Sequence, residues 1–140
     1  MFSQPKIASS VVICRNIRRC TNQYVAMIQK VTNRLTLDDG RVHYALAAED
    51  VRDFALVLSR SFAYDEGMSG SGVRIELYTL ASSGVSQATR DAILTWAVDA
   101  IDRLSGLVGP YPYASFRIVD AGPSMPGGVE FPGLIYINPN

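Results

Sequence analysis

The sequence predicts an α+β chain: a β-rich first part, then one long helix packed against a small sheet. Three observations carry this. Short apolar or alternating runs recur at 35–37, 42–46, 54–58 and 73–78, separated by Asp, Gly and Ser turn signals. A single segment, 86–104, switches to helical periodicity, with Ile93, Trp96, Ala97, Ala100, Ile101 and Leu104 at i, i+3, i+4, i+7 spacing. Beyond it, Gly/Pro-rich stretches separate further strand-like runs at 115–120 and 129–137.

Composition narrows the function classes. The 140 residues are 48% hydrophobic and 19% charged, a globular balance rather than a disordered one. Thirteen basic and thirteen acidic residues cancel, which argues against a nucleic-acid partner. No apolar run reaches the roughly 18 residues of a membrane span, and the segment from Met1 to Cys14 makes a poor signal peptide because arginines follow it directly. Cys14 and Cys20, in C-x5-C spacing, fit neither a redox nor a zinc-knuckle pattern. They read as two unpaired thiols, with a small-loop disulfide left open, and the compartment stays undetermined.

In chain order, 7–13 and 24–31 are candidate strands around the cluster Arg15, Arg18 and Arg19, which reads as a solvated face. Asp38-Asp39-Gly40 between two strand-like runs signals a hairpin, since Asp-Gly tolerates the required positive φ. His43 alternates with Val42 and Tyr44. As a lone histidine without Cys, Asp or Glu at ligand spacing it reads as structural or solvent-facing. Phe54 to Leu58 reads as a buried strand, with Arg52 and Asp53 as a strand-entry pair, and 66–72 as a flexible loop. Val73 to Tyr78 alternates as a half-exposed strand. Ala81-Ser82-Ser83-Gly84 reads as a linker, placing a boundary between domains 1–80 and 81–140. For the helix, Ser86 is the expected N-cap, Gly106 and Gly109 supply the stop, and Trp96 is expected to anchor the core. Gly109-Pro110-Tyr111-Pro112-Tyr113 forms a rigid turn into the strand Ser115–Asp120.

The last stretch, Met125 to Ile137, is chemically the most pointed. It sets one carboxylate, Glu130, between a flexible Gly127-Gly128 entry and an alternating strand. Pro132 lacks an N–H, so this strand is expected at a sheet edge or with a bulge. An edge beside a cleft is where an extended peptide can add itself as a further strand. Glu130 would then stand at one end of the groove, placed to hold an ammonium group, while an exposed edge at 129–137 also favours self-association.

Gly127-Gly128-Val129-Glu130-Phe131 resembles the Gly-Ala-Met-Glu-Asn signature of the aminopeptidase-N-like zinc aminopeptidases (gluzincins). The longer run is closer to the bacterial form, Gly-Gly-Met-Glu-Tyr-Pro-Gly-Leu, with Val129 and Phe131 keeping bulk and apolarity. Val51-Arg52-Asp53-Phe54-Ala55 and Gly109-Pro110-Tyr111-Pro112-Tyr113 fit in the same order, so the resemblance covers roughly 42–138. It implies that 81–140 is the N-terminal part of a thermolysin-like peptidase domain and that 1–80 ends a preceding β-rich domain. It further implies a substrate-binding set of Glu130, Gly127, Gly128 and Val129, with Glu130 binding the free α-ammonium of a peptide.

The family's H-E-x-x-H helix, which holds zinc and supplies the general base, has no counterpart in these residues. The resemblance therefore implies a fragment ending before that helix, inactive alone. Zinc and the remaining catalytic domain would belong to the full-length enzyme. Two alternatives stay open: a non-catalytic peptide-binding or protein-binding module, and a truncated, inactive gene product.

Overall fold

The structure, a computed structural model, describes residues 10–13, 24–27, 30–38, 42–47, 55–59, 61–125 and 127–138. The expectations for Cys14, Cys20, the Arg15/Arg18/Arg19 cluster, Arg52, Asp53 and the Asp39-Gly40 turn lie outside these residues. The strands are β1 (Ser10–Ile13), β2 (Tyr24–Met27), β3 (Lys30–Thr36), β4 (Val42–Ala47), β5 (Leu56–Ser59), β6 (Phe62–Met68), β7 (Arg74–Leu80), β8 (Ser115–Asp120), β9 (Val129–Phe131) and β10 (Leu134–Ile137). The helix α1 (Gln87–Val108) lies between β7 and β8. The architecture is α+β.

Among the described residues three sheets form, in the orders β1-β4-β3, β2-β5 and β6-β7-β8-β10-β9. The hairpin expected around 38–40 is present as antiparallel β3 and β4, with Thr36 opposite Val42. His43 lies on β4, opposite Ile13 of β1 and Leu35 of β3.

The five-stranded sheet is mixed. β6 and β7 form an antiparallel hairpin, β7 runs parallel to β8, and β8 runs parallel to β10. Parallel neighbours need a crossover, and α1 supplies it between β7 and β8. This sheet passes across the expected boundary at 80/81, because β7 pairs with β8. The expected linker is a 3-10 turn (Ala81–Ser83) closed by Gly84 at φ 65°.

Each face of this sheet has its own core. Ile75, Leu77 and Ile118 pack with Ala97 and Ile101 of α1, while Tyr78, Val119 and Leu134 pack on the other face with Phe62 and Ala55. β7 is therefore buried on both faces, not half-exposed as its alternation suggested, and even Glu76 is only 7% exposed. The polar side is accommodated because Arg117 and Tyr78 satisfy that carboxylate. The stretch 66–72 is likewise not all loop: Glu66, Gly67 and Met68 complete β6, paired with Glu76, Ile75 and Arg74. The turn that follows is tied to α1. Asp102 accepts hydrogen bonds from the Gly70 N–H at 2.8 Å, the Ser71 N–H at 3.1 Å and the Ser71 hydroxyl at 3.0 Å. Those donors, the Gly70 amide foremost, hold the Asp102 carboxyl below its ordinary pKa.

α1 starts where expected, with Ser86 Oγ accepting from the Thr89 N–H at 3.2 Å. It runs a turn past Leu104, through Gly106, and ends at Gly109, whose φ of 107° an L side chain rarely adopts. Its core stripe is Ile93, Leu94, Ala97, Val98 and Ile101. Trp96 is 69% and Leu104 53% exposed, so Trp96 is not the core anchor that the periodicity suggested. An apolar stripe this wide satisfies two helix rotations, and in the one adopted Val98 and Leu94 lie over Gly67 of β6, where an added Cβ would come 3.5 Å from Val98 and 4.0 Å from Leu94.

Candidate functional site

The expected single strand over 129–137 is a hairpin. β9 and β10 pair antiparallel, with Phe131 opposite Leu134, so Pro132-Gly133 is a two-residue turn. Proline cannot donate to a ladder, and Gly133 at φ 77° takes a conformation open mainly to glycine. Proline followed by a positive-φ glycine is the type II turn pattern. Gly133 is also pinned: its carbonyl accepts from the Arg117 N–H at 2.9 Å, and a Cβ there would lie 3.6 Å from the Ser115 carbonyl oxygen.

β9 is the terminal strand of its sheet, the edge position expected from Pro132. Glu130 stands opposite Ile135, and directly opposed residues share a face. Ile135 packs into the core beneath α1, so Glu130 projects on the helix side of the sheet. α1 lies over β6 and β7, whereas β9 is three strands from β7, about 14 Å at ordinary strand spacing. Glu130 therefore overlooks a ledge of β10 and β9 beside the helix. Glu130 is solvent-exposed. Val129 and Phe131 project to the opposite face, where Phe131 meets Tyr136 edge-on at 5.3 Å between ring centres. Burial raises the Tyr136 phenol pKa.

The two entry glycines do different work. Gly127 takes φ 74° with no neighbour within 4 Å of an added Cβ, so it serves the turn of the chain. At Gly128 a Cβ would come 3.1 Å from the Tyr136 carbonyl oxygen, so its bareness lets β9 close on β10. The preceding loop is fastened at both ends. The Ala121 N–H donates to the Ile137 carbonyl at 3.0 Å, and Asn138 Nδ2 donates to the Met125 carbonyl at 3.4 Å. Asp120, 1% exposed, anchors its start by accepting from the Leu80 and Gly122 N–H groups at 2.9 and 2.8 Å and from the Ser83 hydroxyl.

The structure thus brings Gly127, Gly128, Val129 and Glu130 together on one exposed edge. Sequence reasoning missed Asp120 and the buried Glu76–Arg117–Tyr78 set, because each depends on partners about 40 residues away. Asp120 ending an apolar strand just before a Gly/Pro loop was the one visible signal. An apolar cavity of about 490 Å³ lies elsewhere, between the C-terminal half of α1 and the Tyr111–Pro112 turn.

A catalytic zinc takes three protein ligands. No group of three His, Cys, Asp or Glu side chains comes together among the described residues, so these residues do not fit that ion. The chemistry of this edge is that of backbone hydrogen bonding plus one carboxylate. Among the described residues no helix is long and apolar enough to cross a membrane. No protein-family model matches the chain, and no curated protein matches it.

Proposed function

We propose that β9 holds the N-terminal end of an extended peptide, and that the chain is a portion of a zinc-dependent aminopeptidase whose metal site lies outside the described residues. The observation that supports this reading is the position of β9 as the terminal strand of its sheet among the described residues, together with a single carboxylate, Glu130, next to Gly127-Gly128. A peptide laid along β9 would exchange main-chain hydrogen bonds with the edge, and Glu130 would take the α-ammonium. An exposed carboxylate–ammonium pair is worth only about 0.2–1 kcal/mol. A bound peptide that covers Glu130 raises that toward the roughly 1.5–3 kcal/mol of a charge-assisted bond.

Amide chemical shifts test the location. Titration with a short peptide bearing a free amine should move the resonances of 127–131 and of the facing 134–137. The same peptide N-acetylated should move them less. Shifts confined to the cavity near Tyr111, or equal responses to both peptides, count against the reading. A binding module without turnover would use the same edge; only an assay of cleavage in the longer protein separates the two.

A further inference from the structure

We propose that the bound peptide carries an apolar second residue, selected by Val129 and the row of side chains behind it; this rests on β9 being the peptide-binding edge. The Pro132-Gly133 turn joins Phe131 to Leu134, and a two-residue turn closes on a hydrogen-bonded pair. Hydrogen-bonded and non-hydrogen-bonded pairs alternate along an antiparallel ladder. Val129 and Phe131 therefore direct their main-chain groups to β10, while Glu130 turns its N–H and carbonyl to the outer edge of β9. Glu130 thus offers main-chain bonds and a carboxylate to the same incoming residue.

Direction follows from the same turn. β9 ends at Phe131, so a peptide whose first residue stands opposite Glu130 can extend only toward Val129 and Gly128, antiparallel to β9. Its first residue exchanges main-chain bonds with Glu130, and its ammonium keeps further N–H groups for the carboxylate. The second residue then stands opposite Val129 and shares its face of the sheet, the one away from α1. On that face one uncharged row crosses all five strands. Tyr64 stands opposite Tyr78, Tyr78 opposite Val119, Val119 opposite Tyr136, and Tyr136 opposite Val129. Tyr78 and Val119 are buried, and Val129, 37% exposed, is the outer end of the row. Glu66, Glu76 and Arg117 lie on the adjoining row, which ends at Leu134 and Phe131. An apolar second side chain extends the uncharged row, covers Val129 and lies within diagonal reach of Phe131. A polar one loses water there without gaining a partner.

Amide-shift titration tests it with three tripeptide amides: free-amine Ala-Leu-Ala, free-amine Ala-Asn-Ala, which is close in shape, and N-acetylated Ala-Leu-Ala. The free leucine peptide should bind roughly twofold to fivefold tighter than the asparagine peptide, the size of one cross-strand pair. Val129→Thr, which keeps the shape of the side chain, should narrow that ratio. Val129→Glu should place free-amine Ala-Lys-Ala above Ala-Leu-Ala. Equal binding of the leucine and asparagine peptides, with the preference for a free amine retained, overturns the inference and leaves the peptide edge standing. So does a leucine preference that both Val129 variants leave unchanged. Absence of any free-amine preference in the native chain overturns the reading beneath, and the inference with it.

Discussion

Glu76 and Arg117 face each other across the parallel pair β7–β8, with the guanidinium Nε 2.8 Å from the carboxylate and both side chains largely buried. The Tyr78 hydroxyl donates to the same oxygen at 2.9 Å. Removing one member of a buried pair leaves an uncompensated charge, which costs more than the pair itself contributes. Arg117→Met should therefore lower unfolding free energy by about 3 kcal/mol in urea titration. Adding Glu76→Leu to it should recover much of that loss.

Alkaline pH should weaken the fold through its tyrosines. Burial pushes the Tyr111 phenol up to about 12 from the ordinary 10.0; burial with the hydrogen bond to Glu66 raises Tyr64, and burial with nearby Glu76 raises Tyr78. The folded state then holds protons that the unfolded chain releases. Such stabilisation is complete below pH 10 and is lost as pH rises toward the folded values. The melting temperature should fall steadily above pH 10. Tyrosinate absorbance of the folded chain at pH 11 should stay below that of the denatured chain.

Gly128→Ala should strain the β9–β10 hairpin, since the new methyl meets a backbone oxygen, which has little freedom to withdraw. Gly127→Ala has space but an unfavourable φ, a strain of order 1–3 kcal/mol. Both should destabilise in denaturant titration. Only Gly128→Ala should also loosen amide protection at Tyr136 and Ile137, through displacement of the paired strand.

Trp96 is the chain's single tryptophan, so its emission reports one site. At concentrations where the chain is monomeric it should be red-shifted and readily quenched by acrylamide. Trp96→Ala should cost under about 0.5 kcal/mol, whereas Ile101→Ala, which empties a core position, should cost about 2–4 kcal/mol.

The contrast between Trp96 and Ile101 shows where legibility in the sequence stops. Local chemistry wrote α1, its Ser86 cap and β8, whose expected span of 115–120 matches the observed one. Periodicity named the helix but not its rotation, since residues 93–104 offer two apolar faces and only contacts with β6 and β7 distinguish them. Glu66-Gly67-Met68 looked like loop because its partner, Arg74 to Glu76, lies across a turn that glycine and serine disguise. Pro132 signalled an edge correctly. With Gly133 it also marks a turn, which a single long strand obscured. Of the candidate site, Glu130 and the entry glycines stand out in the sequence because a carboxylate and bare backbone are local features, and the proposal for them rests on that and on the edge position of β9. Asp120 and the Glu76–Arg117 pair do not, since both arise from sheet order.

The central claim is that Glu130 selects a free peptide amine. The most direct measurement is the affinity ratio for one short peptide in free-amine and N-acetylated forms, taken for the native chain and for Glu130→Gln. The account predicts a preference of roughly threefold to a hundredfold for the free amine, the range of an exposed to a covered ion pair. In Glu130→Gln that preference should collapse to near one. An unchanged ratio in the variant, or no preference in the native chain, contradicts it.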